Sequence, residues 1–173
     1  MNFIKKLEKA YKKIEAENTS RYYHGSPKDH GDTLKVIPYG HNPYGHDFGG
    51  IFLSKESRWG HIGSSKNYWY FIDLKDSDIL SGNDLYYHHD PKESKIVDVL
   101  NNFDLSDLSD DALDDVWDIL CDKKTNENIL DGWQTQTIQG QLAKILGYKA
   151  FETPDERGVA YLLVGPSILK KDQ

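Results

Sequence analysis

The chain has 173 residues, with 21 basic and 28 acidic side chains and a net charge of −7. This length suits one domain, and a hydrophobic fraction of 38% with 12% aromatic residues is enough to build a packed core. No apolar run approaches the roughly 20 residues that a membrane-spanning helix needs, and the first residues lack the apolar block of a secretory signal peptide. A lone cysteine, Cys121, excludes an internal disulfide and a cysteine-cluster zinc site. We therefore expect a single cytoplasmic domain over residues 1–173 that does not bind membranes.

The charge is distributed unevenly along the chain. Residues 1–70 contain 11 basic and 7 acidic side chains, a net charge of +4, whereas residues 71–173 contain 10 and 21, a net charge of −11. Residues 98–131 alone carry 11 acidic and two basic side chains, a net charge of −9. Because such a segment repels phosphate backbones, we expect no direct nucleic-acid binding there. The segment is either a solvated acidic helical surface or a docking patch for a basic protein, and the sequence does not separate these two interpretations.

The first half of the chain is predicted to be mostly strands after one helix. Apolar residues at helical spacing, with lysines between them, predict an amphipathic helix over residues 2–17. A segment rich in Gly, Pro, Asn and His, residues 28–50, predicts a functional loop. A short helix is predicted at 57–61. Strands are predicted at 21–27, 33–37, 49–54 and 67–74.

The second half is predicted to be mostly helical before a final pair of strands. Helices are predicted at 93–102, 109–121 and 131–146, with Ser109 as an N-cap and Gly147 as the C-terminal stop. In the third of these helices, Trp133, Ile138, Leu142, Ile145 and Leu146 form the expected apolar stripe, and Gln134, Gln136, Gln139 and Gln141 the polar surface. Strands are predicted at 149–152 and 159–164 around a turn, and residues 79–87 remain ambiguous. These elements indicate an α+β fold with a mostly antiparallel sheet.

Several common catalytic motifs are absent from the sequence. There is no P-loop, no Gly-x-Gly-x-x-Gly and no Gly-x-Ser-x-Gly. None of the seven histidines has His-Glu-x-x-His spacing, and adjacent side chains such as His88 and His89 on a strand would point to opposite faces. We therefore expect no metal site. Cys121 lies on the predicted acidic helix, where carboxylates raise a thiol's pKa, so it is predicted to be a core residue.

Three segments carry the chemistry. Tyr22-Tyr23-His24-Gly25-Ser26 is an aromatic strand that ends in His and then Gly. Gly49-Gly50-Ile51-Phe52-Leu53-Ser54 is a glycine turn followed by an apolar strand and a hydroxyl. Residues 146–158 place Asp155 and Glu156 on a turn between two strands near the C-terminus.

In this order the three segments resemble the ADP-ribosyltransferase fold, whose first strand carries a similar aromatic-His-Gly-hydroxyl sequence. The C-terminal stretch is more specific. Asp131-Gly132-Trp133-Gln134, Gly140, Leu142-Ala143, Leu146-Gly147-Tyr148 and then Glu152, Asp155-Glu156 and Gly158 resemble the phage anti-CRISPR ADP-ribosyltransferases that disable type I-F surveillance complexes. Residues 1–18 look like an addition to that family's pattern.

The resemblance implies a split, mostly antiparallel sheet with flanking helices. It also implies cleavage of NAD and transfer of ADP-ribose to a host protein, such as a CRISPR effector subunit, in the cytoplasm of a phage-infected cell. Asp155 and Glu156 are the expected catalytic residues, and Asp155 matches the family's catalytic acid. The NAD contacts implied or expected from the basic half are His24, Gly25, Ser26, Phe52, Ser54 and Arg21. Phe52 stands where many transferases have a tyrosine, so it retains stacking on nicotinamide and loses a hydroxyl.

One alternative uses no NAD. A binding inhibitor of the same fold would sequester a basic partner through the acidic face, and Phe52 in place of a tyrosine favours it. A nucleic-acid acceptor is disfavoured by the charge of residues 98–131.

Overall fold

The computed structural model describes residues 18–36, 50–55, 68–105, 108–125, 129–155 and 158–172. The predicted helices at 2–17 and 57–61 lie outside these residues, and the single-domain assignment stays a prediction. The strands are β1 (Thr19–Ser26), β2 (Thr33–Val36), β3 (Gly50–Leu53), β4 (Tyr68–Lys75), β5 (Ile79–Leu80), β6 (Ala150–Asp155), β7 (Gly158–Val164) and β8 (Ser167–Lys171). The helices are α1 (Gly82–His88), α2 (Ser94–Asn101), α3 (Asp110–Leu120) and α4 (Gly132–Leu146).

The strands form two four-stranded sheets. The first sheet has the order β1-β4-β8-β2 and the second β3-β7-β6-β5. All pairs are antiparallel except β5 with β6. The predicted α+β class, with a mostly antiparallel split sheet and flanking helices, is confirmed.

The two sheets meet along a short seam between β1 and the end of β3. Tyr23 N donates to Ser54 O at 2.8 Å, and Ser54 N donates to Tyr23 O at 2.9 Å. This reciprocal pair is an isolated antiparallel bridge, not a continuous ladder. Among the described strands, the sheets are therefore paired at this one point.

Each face of the second sheet contributes to a separate core. Phe151 and Leu162 face the helices and pack with Ile138 and Leu142 of α4. Leu53, Tyr161 and Leu163 face the first sheet and pack with residues such as Tyr22, Tyr70 and Leu169. The period-2 alternation of β7 thus divides its buried run between the two layers.

The helices have the predicted spacing of buried residues, but the buried face of α4 is rotated relative to the predicted one. In α3, Leu113, Val116, Trp117 and Leu120 fall at helical spacing on one face, and all four are buried. In α4, Ile138 and Leu142 are fully buried, but Trp133 and Ile145 are 46% and 39% exposed. Gln139, predicted to be on the polar surface, is fully buried instead. Gln139 and Ala143 occupy the middle of the α4 face that meets β6. The buried face is therefore shifted by one position from the predicted apolar stripe.

Three other differences concern short elements. The ambiguous segment 79–87 contains β5 and then α1, whose N-cap Ser81 accepts from Asp84 N. Strand β6 continues to Asp155, beyond its predicted end at residue 152. Strand β8 was not predicted, because its short sequence Ser-Ile-Leu-Lys-Lys becomes a strand through pairing with β2 and β4 on either side.

The acidic segment contributes the end of α2 and the whole of α3, and the aspartates of α3 are exposed or partly exposed. Within it, Asp115 pairs with Lys124 at 2.6 Å and Asp110 with Lys92 at 3.0 Å, and all four side chains are substantially exposed. Pairs of this kind contribute little to stability, so the solvated-surface interpretation suffices for the fold. In the described ranges, no helix is both long and apolar enough to cross a membrane.

Strands β3 and β7 approach closely at Gly50. A Cβ atom on Gly50 would lie 1.9 Å from the carbonyl oxygen of Leu163, so alanine must push the two strands apart. We expect Gly50→Ala to lower the free energy of unfolding by on the order of 1–3 kcal/mol, measured by urea denaturation. Gly132→Ala is the matched control, since nothing lies within 4 Å of its added Cβ. Equal stability of both variants would contradict the close approach.

Candidate active site

His24 joins the first two predicted motifs. It lies on β1, and its Nδ1 is 2.9 Å from the main-chain oxygen of Phe52 on β3. Because a carbonyl oxygen only accepts, Nδ1 is the donor and carries a proton. This bond fixes the plane of the imidazole ring at the seam and directs Nε2 to the opposite side of the ring. The structure therefore brings His24 and Phe52 together.

Gly25 and Ser26 follow His24 and are both buried. Ser26 Oγ accepts from Lys28 N at 3.2 Å and lies 3.1 Å from His30 Nε2. His30 N in turn donates to Tyr70 Oη at 2.6 Å. The Ser26 hydroxyl is thus committed to shaping the turn after β1.

Phe52 and Ser54 lie on the other side of the seam. The Phe52 ring is partly buried and packs against the core on the helical side of the sheet, so its predicted stacking on nicotinamide stays a prediction. Ser54 is 4% exposed, and its main chain makes the bridge to Tyr23. Both residues hold the seam through their backbones.

Arg21 is not brought to this site. By strand alternation it lies on the face of β1 opposite Tyr22 and His24. Its guanidinium donates to Asp73 at 2.8 and 3.3 Å and lies 3.8 Å from the centre of the Phe71 ring. This exposed pair links β1 to β4 at the surface, and the sequence alone did not reveal that partner.

Asp155 is the last residue of β6, and its main chain pairs with Gly158 at the start of β7. Gly158 has φ of 126°, a conformation that favours glycine, and so closes the hairpin. Glu156 lies outside the described residues. The predicted acid thus sits at a hairpin tip on the sheet that also contains β3.

A row of side chains crosses the second sheet beside the seam, and Tyr161 at its centre was not singled out from the sequence. Glu152 is paired with Tyr161, which is paired with Leu53 of β3. The Tyr161 ring packs edge-on against Tyr22 at 4.7 Å. Burial raises the pKa of Tyr22 to about 12, and the negative charges of Asp76 and Glu152 add to the shift. Burial and then Glu152 also raise the pKa of Tyr161. Both hydroxyls therefore stay protonated donors beside a carboxylate.

Neither a metal nor a thiolate is favoured by the described side chains. In the part of the chain that the structure describes, no three His, Cys, Asp or Glu residues are grouped as metal ligands. Cys121 is buried, which confirms its predicted place in the core. Burial, then the charges of Asp122 and Asp118, raise the pKa of its thiol to about 12, so it is a poor nucleophile.

Comparison with known proteins shows the family and the fold to which this chain belongs. The sequence profile of the family described as anti-CRISPR type I-F ADP-ribosyltransferase AcrIF11 matches residues 20–171. The chain belongs to this family. A crystal structure described as that of an anti-CRISPR protein superposes with a TM-score of 0.60 at 24% identity, covering 89% of this chain and 96% of the other, which shows a shared fold. A search of curated proteins gave no match.

Family membership confirms the main functional predictions. The chain is an ADP-ribosyltransferase of the type I-F anti-CRISPR class, and the family implies NAD as co-substrate and a CRISPR complex as target. The match begins at residue 20, so it leaves out the predicted N-terminal helix. It includes the acidic segment as part of the family region.

His24 is predicted to contribute to NAD binding. Removing its ring in His24→Ala should weaken NAD about tenfold, about 1.4 kcal/mol of binding energy, and so reduce the rise in melting temperature that saturating NAD produces. His88→Ala is the matched control, because His88 is an exposed histidine on α1. An undiminished NAD-induced shift in His24→Ala would contradict the assignment.

Proposed function

We propose that this protein transfers ADP-ribose from NAD to a subunit of the type I-F CRISPR complex in the host cytoplasm. Asp155 is its catalytic acid, and Glu156 lies beside it. His24, Gly25, Ser26, Phe52 and Ser54 form or shape the NAD site. The observation that best supports the proposal is the bond from His24 Nδ1 to Phe52 O, which unites two motifs from separate sheets.

The residues at the seam fit an anionic dinucleotide. Lys28 and Lys55 are exposed and lie just beyond the two joined strands, and Lys55 Nζ is 5.8 Å from the centre of the Tyr22 ring. Either cation can approach the pyrophosphate, where charge-assisted bonds are strong. Gly25 adds no side chain beside the ring of His24. Arg21, bound to Asp73 on the opposite face, is left out of this NAD site.

The reaction needs little from the protein beyond positioning and electrostatics. The bond between ribose C1′ and the nicotinamide nitrogen breaks, and its electron pair leaves with nicotinamide. A nucleophilic group of the target protein forms the new bond to C1′ and loses its proton. Positive charge develops on the ribose as the first bond breaks, and a fixed carboxylate stabilises that charge. Asp155 supplies this carboxylate, and His24, with Nδ1 held by Phe52, orients the bound NAD.

The binding inhibitor without catalysis remains the second candidate. The exposed carboxylates of α3 favour it, because they present a negative surface to a basic partner. The two candidates differ in whether NAD is consumed. Inhibition by the first leaves a covalent mark on the target, whereas inhibition by the second requires continued binding.

Asp155→Asn separates the candidates. With purified type I-F complex and labelled NAD, the unmodified protein should label one protein subunit, and Asp155→Asn should label it 10²–10³-fold more slowly. Asp98→Asn, an exposed aspartate on α2, is the matched control and should label normally. The account is wrong if no subunit is labelled and Asp155→Asn still blocks the complex.

A further inference from the structure

A fully buried glutamine lies at the centre of α4. Four polar residues are buried among those the structure describes, and Gln139, at 0% exposure, is the most deeply buried of them, followed by Thr153 at 2%. Burying a carboxamide costs free energy unless its donors and acceptor are all bonded. A position that tolerated any apolar side chain would more easily be filled by leucine. The contacts of Gln139 are therefore the place to seek a specific role.

The carboxamide is bonded on both sides. Its Nε2 donates to Leu120 O at 2.9 Å and to Asp122 Oδ1 at 3.2 Å, and its Oε1 accepts from Thr153 Oγ1 at 3.0 Å. The carbonyl of Leu120 can only accept, so the amide has one orientation. Gln139 thus connects α4 to the end of α3 and to β6.

The Asp122 end of this network is itself held in place. Asp122 is exposed as a residue and has φ of 57°, yet one carboxylate oxygen lies against Gly82 at the start of α1, where an added Cβ would be only 2.7 Å away. Partial burial of the carboxyl group raises its pKa to about 6, while the bond from Gln139 acts to lower it. The negative charge of Glu152 on β6 also raises this pKa.

Strand β6 is paired along one edge only near Asp155. Its inner edge pairs with β7 along its whole length, but β5 pairs only with Ala150 and Phe151 on the outer edge. Beyond Phe151, no strand among the described residues covers that edge. The side-chain bond from Thr153 to Gln139 ties this stretch to the helical layer. A longer contact from Gln136 Nε2 to Pro154 O, at 3.5 Å, adds to it.

We propose that Gln139 is a positioning residue for ADP-ribosyl transfer, which fixes the β6–β7 hairpin through Thr153 and thereby holds Asp155 in place. The inference rests on the proposed role of Asp155. Thr153 precedes Asp155 by two residues, so freedom at Thr153 is transmitted directly to the hairpin tip. Misplacement of a catalytic group by about 1 Å can cost roughly 10²-fold in rate.

Thr153→Val and Gln139→Met test the tether by removing one partner each at nearly constant volume. We expect each variant to lower kcat for labelling of the type I-F complex by about 10–100-fold while KM for NAD stays within about threefold. The double variant should lose no more than the worse single variant, because both remove the same bond. Thr153→Ser keeps the hydroxyl and should retain most of kcat.

Controls separate positioning from stability. Ile138→Val, beside Gln139 and fully buried, removes one methylene without touching the tether and should lower the melting temperature but not kcat. Amide hydrogen exchange gives a readout independent of activity: residues 150–155 should exchange faster in Thr153→Val and as in the unmodified protein in Thr153→Ser. If Gln139→Met does not fold, the comparison of Thr153→Val with Thr153→Ser still tests the positioning role.

The failures are distinguishable. Normal kcat and unchanged hairpin exchange in Thr153→Val, with Asp155→Asn inactive, would overturn the positioning role and leave the proposed function intact. Active Asp155→Asn would instead overturn the catalytic assignment, whatever the tether variants do. A kcat that follows melting temperature across Ile138→Val and Thr153→Val would likewise overturn the positioning role, since stability alone would then explain the loss.

Discussion

The architecture depends on a few hydrogen bonds where the two sheets meet. The reciprocal main-chain bonds between Tyr23 and Ser54 join sheets that pair nowhere else among the described strands. One residue further along β1, His24 Nδ1 donates to Phe52 O, so the same seam fixes an imidazole ring. Beyond this bridge the sheets are held together by their shared apolar core, which includes Tyr22, Tyr161 and Leu163.

The second sheet connects this seam to the acid and to the helices. Its row Leu53, Tyr161 and Glu152 runs from β3 to β6 on the face towards the first sheet. On the other face, Thr153 is held by the carboxamide of Gln139. The strand that carries the acid is therefore located by a sheet on one face and a helix on the other. The bond to Thr153 gives the buried carboxamide of Gln139 a specific partner in an otherwise apolar core.

Much of the fold follows from local sequence signals. Three features were predictable because each depends on residues close in sequence. They are the end of α4 at Gly147, the buried face of α3, and the strands that contain the β1 and β3 motifs. Strand β8 and the burial of Gln139 were not, because both depend on partners distant in the chain. Arg21 was assigned to NAD by charge alone, whereas its position on β1 directs it to Asp73. The charge of Arg21 could be read from the sequence, but the face of β1 on which it lies depends on the pairing of the strands.

The central claim is that the seam holds His24 for NAD. Long-range ¹H–¹⁵N NMR spectra of the imidazole, with and without NAD, test it most directly. The account predicts a protonated Nδ1 on His24 in the free protein, and a change in its ring resonances on NAD addition while those of His88 stay fixed. An unprotonated Nδ1, or His24 resonances that do not respond to saturating NAD, would contradict it.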